Sequence, residues 1–267
     1  MPFKRDWAEM TWEDFAAADP SWVAVLPLAA VEQHGPHLPL GTDSFIVQAY
    51  LARARKLLPD ALKVTFLPIQ AIGTSHEHRA FAGTLSLSSE TLIHALTQTA
   101  ESVHRAGLRK LVFANGHGGN VAALDLVALD LRTRLNMLAV PCSLSRFGYP
   151  DGLFAPEEVA HGIHGGDVET SIMLAARPDL VRIDLAKNFR PASLAMAREF
   201  KQLRACEPVG FGWMSQDLNP SGAIGDATLA TAAKGEAALA HGARALVELL
   251  EDVARFDLAK LAKGPLG

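Results

Sequence analysis

Cysteine is scarce: Cys142 and Cys206 are the only two in 267 residues. They form no CxxC pair and no zinc-finger spacing. Two distant cysteines in a chain this long are ordinary core residues of a reducing compartment. Aromatic residues supply only 7% of the chain, and positive charge is not in excess. The 25 Lys and Arg stand against 29 Asp and Glu, a formal net charge of -4. That balance argues against a nucleic-acid binder, which carries a basic face or tail. No apolar run approaches the ~18 residues of a transmembrane helix. The opening MPFKRDWAEM has no apolar core of a secretory signal. A soluble, cytoplasmic protein is expected, with neither nucleic acid nor membrane as partner.

What is present is apolar bulk. Hydrophobic residues make up 49% of the chain, too many for a disordered polymer. Such a chain buries most of its apolar surface without disulfide staples. Short apolar runs at Trp22–Ala29, Lys63–Ile69, Lys110–Ala114 and Ala139–Leu144 predict strands covered on both faces. Helical spacing predicts helices over Ser44–Leu58 with Asp43 as N-cap, Glu90–Arg105, Asn120–Leu135 and about Ala227–Val253. Strand and helix alternate, which predicts an α/β fold with a mainly parallel sheet and helices on both faces. Residues 145–165 and 205–226, rich in Gly, Pro and polar residues, are expected to be long loops. No repeat or linker divides the chain, so one domain over 1–267 is expected.

Chemistry-bearing residues concentrate in three segments. VEQHGPHLPLGTD (31–43) follows the first strand and holds Glu32, His34, His37 and Asp43. Glu32 and His34 are two apart, so in extended chain they point to the same side. Pro36, Pro39 and Gly41 turn the loop so that Asp43 returns toward them. NGHGGN (115–120) follows the third strand, where the crevice of an open α/β sheet lies. It offers His117. It lacks both GxGxxG and the Lys-Ser/Thr of a phosphate loop. HGIHGGDVETS (161–171) contributes His161, His164, Asp167 and Glu169 before a helix expected near Thr170. Asp167 and Glu169 there could simply favour the positive end of that helix.

Mixed carboxylate and imidazole ligands suit zinc, manganese or iron. Glu32, Asp43 and Glu169, with one bridging hydroxide, would balance two divalent ions, with Asp43 as a natural bridge. Two ions about 3.5–4 Å apart lower the pKa of bound water and clamp an oxyanion. That is hydrolysis of an amide, cyclic amide or ester-like carbonyl. No GxSxG elbow, Cys-His signature or HExxH helix supports another hydrolytic scheme.

EQHGPHLPLGTD (32–43), NGHGGN (115–120), HGGDVETS (164–171) and GDATLATAAKG (225–235) together resemble the creatininase (creatinine amidohydrolase) family, in order from about Trp12 to about Gly235. The resemblance implies a three-layer α/β sandwich, a dinuclear metal site at the strand ends and a homo-oligomer, often a hexamer. By motif position, Glu32, Asp43 and His117 match the ligands of one metal, and His34 with the bridging Asp43 those of the second. His164 matches a His near the substrate, a general acid or oxyanion partner.

One departure stands out. Where creatininase proper has a Tyr and then a metal-binding Glu, this chain has Gly118 and Gly119. Glu169 is the expected substitute ligand, and with His164 it forms the expected catalytic pair. Tyr149 or Trp213 could restore the missing aromatic wall. His76 and His78 contact substrate or mark a subunit interface. His94 and His104 are expected on the surface, and Asp226 as a helix cap.

The expected function is metal-dependent hydrolysis of a non-peptide C–N bond in a small molecule, a cyclic amide or formamide. The alternatives are a deformylase or peptidase of a biosynthetic pathway, and a non-catalytic metal- or ligand-binding protein on the same scaffold. A nucleotide-binding α/β protein using the 116–119 turn is a further one.

Overall fold

A computed structural model describes residues 3–206, 208–262 and 264. Residue 207, inside the expected 205–226 loop, and the ends of the expected 1–267 domain lie outside the described residues. Strands β1 (Val23–Leu28), β2 (Val64–Phe66), β3 (Lys110–Asn115) and β4 (Leu138–Ser143) form one sheet in the order β2-β1-β3-β4. Every pairing is parallel: Val23 lies opposite both Val64 and Lys110, and Lys110 opposite Leu138. Every residue of β1 and β3 is buried, as continuous apolar runs require. β2 stops at Phe66 and not at the expected Ile69, because Pro68 follows. Pro141 is tolerated because β4 is an edge strand, half-exposed along its length.

The helices are α1 (Thr42–Leu57), α2 (Ser89–Arg105), α3 (Val121–Leu135), α4 (Pro156–His161), α5 (Asp167–Ala176), α6 (Ser193–Glu199), α7 (Ser215–Leu218) and α8 (Ala232–Arg255). Alternate side chains of each strand enter opposite layers. Ala24, Leu26, Leu111 and Phe113 pack on Leu92 and Leu96 of α2 and Val127 and Leu131 of α3. Val23, Val25, Val112 and Ala114 pack on Val47 and Tyr50 of α1, Ile172 of α5 and Leu239 and Leu246 of α8. The result is an α/β sandwich with helices on both faces of a parallel sheet. Among the described residues no helix is long and apolar enough to cross a membrane.

The structure corrects several local expectations. Gly41, not Asp43, occupies the N-cap of α1, and Asp43 is the second helical residue. α5 begins at Asp167, three residues before Thr170. α8 begins at Ala232, where Thr231 accepts a hydrogen bond from the Lys234 N–H. Asp226 caps the preceding 3-10 turn, accepting from the Thr228 N–H at 3.1 Å. The two expected loops carry α4 and α7, and β6 (Gly225–Asp226) pairs antiparallel with β5 (Asn188–Phe189). Cys142 is buried as expected, but Cys206 is exposed.

Candidate metal centre

The site forms beyond the carboxyl ends of β1 and β3, where loops rise out of a parallel sheet. The 31–41 loop folds back on itself: the Glu32 N–H donates to Leu40 O at 2.9 Å, and His34 bridges to Leu38. The turn returns the chain to the start of α1 and brings Asp43 beside Glu32 and His34. The Gly116–Gly118 turn supplies His117. The segment before α5 supplies His164, and the first turn of α5 supplies Glu169. Glu32, His34, Asp43, His117 and His164 are all buried; the Glu169 side chain is 23% exposed.

Two histidines face carboxylates with the same chemistry. The His117 Nε2–H donates to the Thr74 carbonyl at 2.7 Å. That leaves the lone pair of Nδ1 aimed at Glu32 Oε1 (3.2 Å) and Asp43 Oδ2 (3.4 Å). The His34 Nδ1–H donates to the Glu32 carbonyl at 3.1 Å. Its Nε2 then faces Asp43 Oδ1 (3.2 Å) and Glu169 Oε2 (3.8 Å). A lone pair opposite two carboxylate oxygens is repulsive unless a cation lies between them. Fixing the tautomer through the outer nitrogen is how proteins prepare imidazole ligands. Asp43 Oδ2 is moreover buried with no hydrogen-bond partner. An orphaned carboxylate oxygen inside a protein needs a partner, and this one fits a metal ion.

The field reflects the same crowding. Burial raises Glu32 above the usual carboxylate range. Burial, with Asp43 and Glu32 adding to it, raises Glu169 to about 7. Asp43 is held below the usual range despite its burial, because His34 and His117 face it. Burial opposes charge on His34, yet Asp43, Glu169 and Glu32 lift it to about 9; Glu32 and Asp43 also hold His117 well above the ordinary imidazole range, against its burial. Without metal, protons serve as the cations. Divalent ions would displace them.

Other residues sort clearly. His164 sits against the cluster, its Nε2–H donating to the Gln33 carbonyl and its Nδ1 3.7 Å from Glu32 Oε1. Burial, with His34 and His78 nearby, keeps it neutral. His37 is buried away from the cluster, bonded to Thr170 Oγ1 at 2.9 Å. His76 is exposed, whereas His78 is buried and stacked on His164 at 4.1 Å. His94 is exposed and His104 half-buried. Asp167 pairs with Lys234 at 2.6 Å. His161 bonds Ser193 Oγ at 3.0 Å, outside the cluster. Trp213 lines the cavity, while Tyr149 packs on Phe154 in the α1/α5/α8 core.

Sequence reasoning missed Ser75, Gln33 and Glu77. The Ser75 hydroxyl donates to Glu32 Oε2, which leaves Oε1 for His117. The Gln33 amide donates to His78 Nδ1 at 2.7 Å and to Gly222 O at 3.1 Å. Glu77 Oε1 lies 3.7 Å from His117 Nε2. The one available signal was their place inside or beside histidine-bearing segments.

Comparison with known proteins agrees with this geometry. Residues 8–250 match the family model for creatininase, creatinine amidohydrolase. A mycofactocin precursor peptide peptidase of Mycobacterium ulcerans (strain Agy99) is 34% identical over 254 residues, 92% of this chain and 89% of that protein. Creatinine amidohydrolase of Pseudomonas putida is 30% identical over 207 residues, 69% of this chain and 76% of that protein. A solved structure of a manganese creatininase superposes with a TM-score of 0.74 at 26% identity, covering 93% of this chain and 98% of that one. A zinc–zinc form of a creatininase variant gives 0.72 at 26%, with the same coverage. The chain therefore belongs to the creatininase (creatinine amidohydrolase) family, a family of hydrolases.

Proposed function

We propose that this chain is a metal-dependent amidohydrolase that cleaves a non-peptide C–N bond, in a cyclic amide or formamide, with Asp43 shared between two groups of residues that would each hold a divalent ion. The observation that carries this is the pair of ligand groups sharing that residue. One is Glu32, Asp43 and His117; the other is His34, Asp43 and Glu169. Within each, one ligand atom per residue lies within 4.8 Å of the others. Glu169 thus stands where the glycine at 119 offers no carboxylate. Zinc, manganese and iron all suit such mixed ligands.

Glu32, Asp43 and His117 would hold one divalent ion and His34, Asp43 and Glu169 another, and such ions would supply Lewis acidity for a carbonyl and for water. The chain's own residues do the rest. Neutral His164 presents Nδ1 to the cavity, positioned to accept a proton from the attacking water and pass it to the leaving nitrogen. The Gln33 carbonyl fixes that tautomer. Glu169, partly exposed, completes the second ligand group and lines the cavity. The cavity, about 370 Å³, is lined by Glu77, Gly118, Ile163, His164 and Trp213 among others, room for a small molecule. A homo-oligomer, hexameric by family resemblance, in the cytoplasm and without nucleic-acid or membrane partners completes this reading.

One observation favours a peptide substrate instead. The relative that covers 92% of this chain is a peptide peptidase.

Elemental analysis of protein purified without chelator or metal-binding tag tests the core of the proposal. Two equivalents of zinc, manganese or iron are expected, followed by turnover of cyclic amides or formamides. Turnover of peptides alone would shift the assignment to the peptidase. No metal, and none taken up on reconstitution, would sink both.

A further inference from the structure

Glu158 is a buried carboxylate that the site as described does not use. It lies on α4 and is 7% exposed. It forms no ion pair among the described residues. Two backbone donors satisfy it instead. The Asp167 N–H donates to Oε1 at 2.7 Å, and the Asp226 N–H donates to Oε2 at 3.0 Å. A buried carboxylate without a counter-ion is costly, so its place calls for a reason.

The surroundings are built around it. A Cβ on Gly162 would come within 2.3 Å of the Glu158 carboxyl oxygens, one on Gly166 within 2.0 Å of Oε1, and one on Gly225 within 2.8 Å. No residue but glycine leaves that carboxylate its room. Two of these glycines flank the segment that carries His164 and leads into Glu169. The third follows Ile224, which pairs with His164 through N–H to O bonds of 3.1 and 2.6 Å. Glu158 therefore ties the start of α5 to β6 on the far side of the His164–Ile224 bridge. Within that clamp the Gly165 N–H donates to Glu169 Oε2 at 2.6 Å. The Glu32, Asp43 and His117 group comes from other elements and meets the clamped segment only through His164, whose Nδ1 lies 3.7 Å from Glu32 Oε1.

We infer that Glu158 is a positioning residue: its carboxylate holds the 162–169 segment against residues 224–226, and so sets His164 and the ligand group of His34, Asp43 and Glu169, while the Glu32, Asp43 and His117 group stands without it. This rests on the two-ion reading above.

The test compares wild type with Glu158→Gln, which keeps the shape but turns an amide NH₂ toward one of the two N–H donors. Gly162→Ala crowds the carboxylate without removing it and serves as the second variant. Glu157→Gln, exposed on the same helix, is the control. Each is loaded with manganese and measured for bound ions and by electron paramagnetic resonance. Wild type and Glu157→Gln should hold two ions with a spin-coupled signal. Glu158→Gln and Gly162→Ala should bind the second ion about 10–100-fold more weakly and show a single-ion signal, with kcat reduced more than KM is raised. Two tightly held, coupled ions in both variants would overturn the role of Glu158 alone. A wild type that takes up no metal would instead overturn the two-ion reading beneath it.

Discussion

The carbonyl oxygen of Thr74 sits 2.4 Å from the point where a side chain on Gly119 would begin, and that same oxygen receives the His117 Nε2–H. His117 Nε2 itself is 2.5 Å from that point and Glu77 Oε1 is 2.9 Å. Gly119 therefore has a steric role: its missing side chain makes room for the contact that fixes the His117 tautomer. Gly119→Ala should displace Thr74 or His117 and weaken metal binding 10–100-fold. Gly118→Ala, next door in open space, should leave binding within about twofold of wild type, as expected where a new methyl touches nothing. Chelator competition on the two variants checks the contrast; equal affinities would refute this account of Gly119.

Much of this was legible in the chain. The apolar runs of β1 and β3 and the stripes of α2 and α3 follow from local periodicity, and the structure keeps them to within a residue or two. Glu32 and His34 alternate, so their shared direction was readable, and the turn residues of the 31–41 loop gave the return of Asp43 toward them. Its position on α1 was not readable: it was read as the N-cap, which Gly41 occupies, because residue-type preference for a cap does not fix where the helix starts. Ser75, Gln33 and His78 reach the site only through tertiary packing. Glu158 was invisible for a related reason. Its partners are two backbone N–H groups far apart in sequence, which leave no mark in residue type beyond three glycines that look like loop filler.

Asp43 carries the sharpest consequence. Both ligand groups use it, one oxygen each. Asp43→Asn keeps the volume but puts an NH₂ where one group needs an anion. Bound metal should fall from two equivalents to near zero, and hydrolysis to background. Retention of one full equivalent would show that the groups are independent and that Asp43 is not the bridge.

Ser75 acts one step back. Its hydroxyl engages Glu32 Oε2 and so orients Oε1 toward His117. Outer partners of this kind are worth about 10–100-fold in metal affinity. Ser75→Ala should weaken binding by that amount at the Glu32 group while leaving the stoichiometry at saturating metal unchanged. An unchanged dissociation constant in a chelator competition would mean that the backbone alone orients Glu32.

His37 predicts how the metal-free protein responds to acid. It is buried, with Nδ1 unpartnered and its ring stacked on Phe189 at 5.2 Å. Burial, with some help from charge on His34, pushes its imidazole down to about 4 from the ordinary 6.5. Between those values the unfolded chain takes up a proton that the folded chain refuses. Stability from this group is therefore complete above about pH 6.5 and declines as the pH falls toward 4, by at most roughly 3 kcal/mol. His78, pushed down to about 3 by burial and by His34 and His117, acts in the same sense over a wider window. Wild type alone cannot separate the two. His37→Gln, which does not titrate, can: urea unfolding in chelator at pH 7 and pH 4.5 should show a smaller loss of stability in the variant. Equal losses would mean that His37 is protonated in the folded protein at pH 4.5, in spite of its burial.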